Sequence, residues 1–267
     1  MAPIMALCTA LALPAVAGEI DAGTGLPVRL DVLDGGMTER GTYVAALRLQ
    51  LSDGWKTYWR SPGDAGIPPG FDWRGSRNLG KVTITWPTPE VFDQGGMQSI
   101  GYSRELVLPV EITPTRADRP VRLKGSVDLG LCKDICIPGQ LHFDHKVDAG
   151  AARNPAIAAA LAQRPYSAAE AGVRAATCRL TPTADGLRIE ARITMPSAGK
   201  PEVAVIESGN PALWVSETST SRAGEVLTAA ADLVAGDGGG VALDRGAVRI
   251  TVLGRDHAVD IQGCTPG

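Results

Sequence analysis

The sequence predicts an all-β protein: an immunoglobulin-like β-sandwich followed by a second, smaller β-sandwich. Three observations predict it. Short runs of alternating or β-branched residues recur along the chain, with Gly, Pro, Asp or Asn between most of them. Gly (32) and Pro (19) are abundant while aromatics make up only 4%, which suits short strands and many turns better than long helices. No helical pattern separates the early strands, so an alternating α/β fold is excluded. A length of 267 residues accommodates one large domain or two of ordinary size.

The N-terminus, "MAPIMALCTALALPAVAGEIDAG", is apolar up to Val16 and then turns polar. Ala15-Val16-Ala17 has the small-x-small form that signal peptidase needs, so residues 1–17 are expected to be a signal peptide cleaved near Ala17. No Lys or Arg precedes the apolar run, and Leu7 is too bulky for Cys8 to read as a lipid-attachment site. Later apolar stretches, 156–162 and 227–235, fall short of the roughly 18 residues of a membrane span. The net charge is −3 and no basic stretch accumulates, which argues against nucleic acid as a partner.

Residues 19–149 form the first expected domain. "VRLDVL", "TYVAALRLQL", "KVTITW", "LVLPVEITP", "VRLKGSVDLG" and "QLHFDHKVDA" read as its strands, and their number and punctuation suggest an antiparallel sandwich. Residues 150–172 are expected to be a helical linker. In "NPAIAAALAQRP", Asn154 suits an N-cap, Pro155 the first helical position, and Pro165 stops the helix. Residues 173–267 return to strand patterns, beginning with "TCRLTPTADGLRIEARITM", two runs around an Asp-Gly turn.

With the signal removed, four cysteines remain: Cys132, Cys136, Cys178 and Cys264. An even count in an oxidising compartment reads as two disulfides, with three connectivities formally open. A bridge between Cys178 and Cys264 would close a loop of about 87 residues, and in the chain-entropy model that contributes on the order of 4 to 5 kcal/mol. It reads as a structural staple, with a second redox couple as the alternative.

Cys132 and Cys136 close a loop of only about five residues, for about 2 kcal/mol in the same model. A pair that staples so little calls for another role. Residues four apart in a regular strand lie about 13 Å from each other, beyond disulfide reach. The thiols meet only if the chain reverses, with Lys133, Asp134 and Ile135 at the tip of a hairpin. A tight, exposed bridge of this kind is easily reduced. A structural staple and a metal site are the competing readings. Cys132, Cys136, His142 and His145 resemble a ligand set, but on a strand His142 and His145 point to opposite faces and the spacing misses the usual zinc patterns. Cu(I) on the two thiols alone suits soft thiolate chemistry. A hydrolase is disfavoured: G-x-S-x-G and H-E-x-x-H are absent, and three scattered histidines give no triad by spacing.

The hairpin "VDLGLCKDICIPG" resembles the active-site hairpin of the N-terminal periplasmic domain of DsbD, the thiol:disulfide interchange protein, and more closely that of its ScsB-type relatives, which are associated with copper tolerance. "GWKTYWRSPGDAGIPPGFDW" and "WPTPEVFDQGGMQSIGYSRELVLPVEI" agree with the same family, and the likeness covers most of residues 40–148. It implies that Cys132 and Cys136 carry a reversible disulfide as the catalytic pair and that Cys136 forms the mixed disulfide with a partner. Gly95, Gly96, Met97, Gln98, Ser99, Ile100, Gly101 and Tyr102 match the position of a cap loop over the pair. Tyr58, with Trp55 and Trp59, would pack near the site, sandwich core being the other reading of the two Trp residues. Cys178 and Cys264 remain the structural disulfide. No cofactor and no metal ligand set is implied. The implied partners are periplasmic or membrane thiol-disulfide oxidoreductases, with cytochrome c maturation or copper tolerance as the setting.

Three departures stand out. The cysteines here are separated by three residues where the better-known DsbD domain has a longer gap. The cap sequence is not its acidic-aromatic version. The membrane-embedded and thioredoxin-like domains of the full family do not occur in this sequence, so a separate membrane partner is expected to supply reductant. The reading from a different class is a non-catalytic periplasmic binding module, for a protein or for Cu(I), with purely structural disulfides.

Overall fold

The computed structural model describes residues 25–63, 66–94, 97–236 and 238–267. The predicted signal peptide 1–17 with Cys8, and Gly95 and Gly96 of the predicted cap segment, lie outside the described residues. Among the described residues no helix is long and apolar enough to cross a membrane.

The chain is nearly all β. Ten strands come first: β1 (Val28–Met37), β2 (Tyr43–Leu51), β3 (Lys56–Tyr58), β4 (Gly70–Asp72), β5 (Leu79–Ile84), β6 (Glu90–Gln94), β7 (Met97–Ser103), β8 (Glu105–Pro114), β9 (Arg122–Cys132) and β10 (Cys136–Lys146). One sheet has the order β1-β2-β8-β5; the other runs β10-β9-β3-β7-β6, with β4 also on β9. Both sheets contribute to one core, where Leu47, Trp59, Leu108, Ile112, Leu123 and Leu131 are fully buried. Each such side chain contributes about 1.5–3 kcal/mol relative to exposure. The alternation that announced β2, β8 and β9 is the alternation that fills this core.

Helix α1 (Pro155–Ala162) follows as the sequence expects. Asn154 Oδ1 accepts from the Ala156 amide at 3.0 Å and Pro155 sits in the first turn. The helix does not hang free between the domains. Ile157 and Ala160 are buried, Ile157 packs beside Gly35 of β1, and the Gln163 carbonyl accepts from Thr88.

The second sandwich comprises β11 (Tyr166–Ser167), β12 (Ala175–Pro182), β13 (Gly186–Thr194), β14 (Val203–Glu207), β15 (Leu213–Val215), β16 (Ser219–Ala223), β17 (Val226–Ala235), β18 (Arg249–Leu253), β19 (Ala258–Gln262) and β20 (Thr265–Pro266). Its sheets run β11-β19-β18-β14 and β15-β17-β13-β12-β20, with β16 also on β17. The β12–β13 hairpin turns at Asp185-Gly186, as its dipeptide predicts.

The two domains share apolar surface. Val205, Leu253 and Ala258 of the second are buried within the core cluster of the first. Beside them Arg60, the second residue after β3, stacks over the Trp59 ring at 3.9 Å and donates two hydrogen bonds to Glu207, at 3.0 and 2.9 Å. A third goes to Thr251 Oγ1 at 3.2 Å. A cavity of about 630 Å³ opens next to this lock, lined by Pro62, Gly66 and Gln98 on one side and by Ile206, Trp214 and Thr218 on the other.

Candidate functional site

The β9–β10 hairpin places Cys132 directly opposite Cys136. The tip, Lys133–Asp134–Ile135, is exposed and closed by the Lys133 amide donating to the Ile135 carbonyl at 3.1 Å. The two cysteines form a disulfide with Cα atoms 4.1 Å apart. Their exposure differs sharply: Cys132 is 1% exposed whereas Cys136 is open to solvent.

The burial of Cys132 comes from β3, which pairs with β9 so that Lys56 faces Cys132 and Thr57 faces Leu131. Strand alternation sends Trp59 into the core and Tyr58 to the opposite face. There the Tyr58 hydroxyl lies 2.7 Å from Cys132 Sγ and 3.4 Å from Cys136 Sγ. A disulfide sulfur carries no proton, so the phenol is the donor. Burial raises the Tyr58 pKa, which keeps that proton in place at neutral pH.

Gly130 makes this approach possible. A Cβ on it would stand 2.9 Å from Tyr58 Cδ2 and 2.8 Å from Ile67 Cβ. The missing side chain lets the tyrosine ring and Ile67 lie against the strand. Thr57 Oγ1 fixes the same residue from the other side, donating to the Gly130 carbonyl at 3.0 Å. Lys133 folds back over Gly54, and its ammonium donates to the Asp53 carbonyl at 3.1 Å.

The described part of the predicted cap segment, residues 97–102, lies in β7. Gly101 faces Tyr58, Tyr102 faces Thr57, and Ser103 faces Lys56. Gly101 is required by this close pairing, because a Cβ there would lie 2.1 Å from the Thr57 carbonyl oxygen. Ser99, Ile100 and Tyr102 are buried; the Tyr102 hydroxyl donates to the Pro87 carbonyl at 2.8 Å and its ring stacks on Trp86. Gln98 faces the interdomain cavity. Trp59 is wholly buried and Trp55 packs against the same core, so both follow the sandwich-core reading.

The structure therefore brings Cys132, Cys136 and Tyr58 together and sets Gly101 beside Tyr58. Sequence reasoning missed Lys56, Gly130 and Arg60. The first two could have been found by extending a strand through "WKTYW" and pairing it with "DLGLC". The metal reading gains nothing from the geometry: both thiols are in the disulfide and His142 lies on the exposed face. His145 lies on the opposite face, with Nε2 2.8 Å from Asp34 Oδ2. Among the described residues no group of three or more His, Cys, Asp or Glu is placed to hold a metal ion.

The second bridge, Cys178–Cys264, joins residues 86 apart. Cys178 is wholly buried in β12 and Cys264 lies between β19 and β20. The Cys264 amide donates to the Arg245 carbonyl at 3.0 Å, and the Cys178 carbonyl accepts from Gly267 at 3.2 Å.

The family described as thiol:disulfide interchange protein DsbD, N-terminal, matches residues 36–147. None of the curated proteins matches the sequence. Among solved structures, the N-terminal periplasmic domain of ScsB from Proteus mirabilis superposes with a TM-score of 0.69 at 20% identity. That alignment covers 96% of this chain and 97% of the other, so the shared fold extends over both sandwiches. The N-terminal domain of Neisseria meningitidis DsbD in its reduced form aligns over 46% of this chain and 85% of its own, at 20% identity and a TM-score of 0.26. Residues 36–147 of this chain thus match the DsbD N-terminal family, and the chain as a whole shares the fold of the ScsB periplasmic domain.

Proposed function

We propose that this protein is a periplasmic thiol-disulfide exchange module, exported by cleavage near Ala17, whose working couple is Cys132–Cys136. The carrying observation is the asymmetry of the pair: Cys136 is exposed and Cys132 is buried beneath the Tyr58 hydroxyl. A partner thiolate attacks Cys136 Sγ. The S–S bond breaks, a new disulfide forms between the partner and Cys136, and the electron pair leaves on Cys132 as a thiolate. Tyr58 donates a hydrogen bond to that leaving sulfur. A second thiol of the partner then resolves the mixed disulfide and leaves the pair reduced. The reverse sequence oxidises it. Neither direction needs a cofactor, because exchange depends on access and on the two thiol pKa values.

The partners are protein thiol-disulfide oxidoreductases of the periplasm or the membrane. Copper tolerance and cytochrome c maturation are the settings suggested by the family, and Cu(I) binding by the reduced thiols is the non-catalytic alternative. Single-cysteine variants test the asymmetry. Cys132→Ala leaves Cys136 alone and should react with an aromatic disulfide reagent at least about tenfold faster than Cys136→Ala, which leaves only the shielded thiol. Equal rates, or a faster Cys132, would overturn the assignment of Cys136 as the attacked sulfur.

A further inference from the structure

Lys56 is the residue directly across from Cys132 in the β3–β9 register. Opposed residues of an antiparallel pair project to the same face, with Cβ atoms about 4.5–5.5 Å apart. The contact between Tyr58 and Cys132 fixes which face that is, since Lys56 and Tyr58 are two residues apart on one strand. In the disulfide state the ammonium of Lys56 rests over the Phe92 ring of β6, 4.2 Å from its centroid. Phe92 lies on the far side of β3 from Cys132, across β7, where Ser99 and Gly101 are small. Lys56 is half-buried and forms no ion pair among the described residues. A contact over Phe is a weak hold where water reaches it.

We propose that Lys56 is the electrostatic partner of the Cys132 thiolate: parked on Phe92 while the disulfide is closed, it swings across β3 when the bridge opens. This rests on the exchange reading above. The step is charge-balanced. Attack at Cys136 by a partner thiolate moves one negative charge onto Cys132, and the four-carbon stem of Lys56 carries its positive charge toward it. A buried thiolate without such a partner is costly, because desolvation disfavours the charged form.

The other charges named around this face are hydrogen-bonded elsewhere or exposed to solvent. Glu90 accepts from Ser103 Oγ at 2.8 Å, Asp128 accepts from Gln140 Nε2 at 2.6 Å, and Lys133 is tied to the Asp53 carbonyl. Asp134 and Asp53 are exposed at the hairpin tip and the neighbouring turn.

The test is a redox titration of the full chain against glutathione, with Cys132 alkylation followed as a function of pH. Circular dichroism and an intact Cys178–Cys264 bridge confirm folding of each variant. Lys56→Gln should shift the equilibrium about tenfold toward the disulfide, which is about 30 mV more negative, and raise the pH at which Cys132 becomes reactive. Lys56→Arg should restore most of the shift. Phe92→Leu, which removes the parking place, should move the equilibrium about twofold in the opposite direction. Lys146→Gln, at the far end of β10, serves as the control for net charge and should move nothing. A wild-type pair that titrates while Lys56→Gln leaves its potential and pH profile unchanged overturns the role of Lys56 alone. A wild-type pair that never titrates overturns the exchange reading and this inference together.

Discussion

The two disulfides of this chain join their cysteines by the same bond and place it in opposite surroundings. Cys178–Cys264 spans 86 residues and ties an early strand of the second sandwich to the end of the chain. Cys132–Cys136 spans four, within a hairpin that already holds its own ends together through eleven paired positions. One sulfur of this short bridge is open to solvent and both lie within 3.4 Å of a tyrosine hydroxyl. The comparison teaches that a bridge's contribution to stability follows the chain it restrains, while its capacity for exchange follows access and the stabilisation of the leaving thiolate.

The largest expected effect would break the comparison from the stability side. Replacing Cys178 and Cys264 together with Ser should cost on the order of 4 to 5 kcal/mol in urea unfolding, since the loop released is long. A loss below about 1 kcal/mol would mean that this bridge is no staple. Next comes the lock between the sandwiches. Arg60→Ala leaves Glu207, only 22% exposed, without its partner. The loss should be about 2–3 kcal/mol, at or just below the roughly 3–5 kcal/mol for breaking a fully buried pair, because some water reaches it. Replacing Cys132 and Cys136 with Ser should cost no more than about 2 kcal/mol yet abolish exchange.

Tyr58→Phe sharpens the contrast further. It removes one hydrogen bond, worth about 0.5–1.5 kcal/mol, from the leaving sulfur and should slow exchange about threefold to tenfold. The Cys178–Cys264 bridge should reduce as it does in the wild type. The smallest effect is an acid titration remote from both bridges. Hydrogen bonds from Arg164, then from the Ser167 amide and hydroxyl, hold the Glu170 carboxyl down at about 2. Its folded pKa lies below the unfolded one, so its stabilisation is complete above about pH 4.3 and is lost as pH falls through 2. NMR titration of the Glu170 side chain should show that midpoint, with neither disulfide responding.

Much of this arrangement was legible in the residues. The alternation of "TYVAALRLQL" and "VRLKGSVDLG" specified β2 and β9, and Asn154-Pro155 specified the start of α1. The spacing of Cys132 and Cys136 required a chain reversal, which is the hairpin observed. The short strands were harder to read. β3 has three residues and β4 has three, too few to display a period. They exist because β9 offers them an edge, which is tertiary information. For the same reason Lys56 and Gly130 carry no signal of their own and come into view only once β3 is paired with β9: their importance lies in what they meet across the sheet. Arg60 lay hidden for a related reason, since its partner Glu207 is supplied by another domain.

The central claim, that one bridge exchanges and the other restrains, is tested most directly by titrating both in a single sample. The mature protein is equilibrated across a series of glutathione or dithiothreitol potentials, then quenched by alkylation, and each cysteine is scored by peptide mass spectrometry. Cys132 and Cys136 should become alkylated together between about −270 and −120 mV, the span of known exchange proteins, while Cys178 and Cys264 stay bridged to below about −300 mV. Two bridges that resist reduction equally would contradict the account and leave a protein with two structural disulfides.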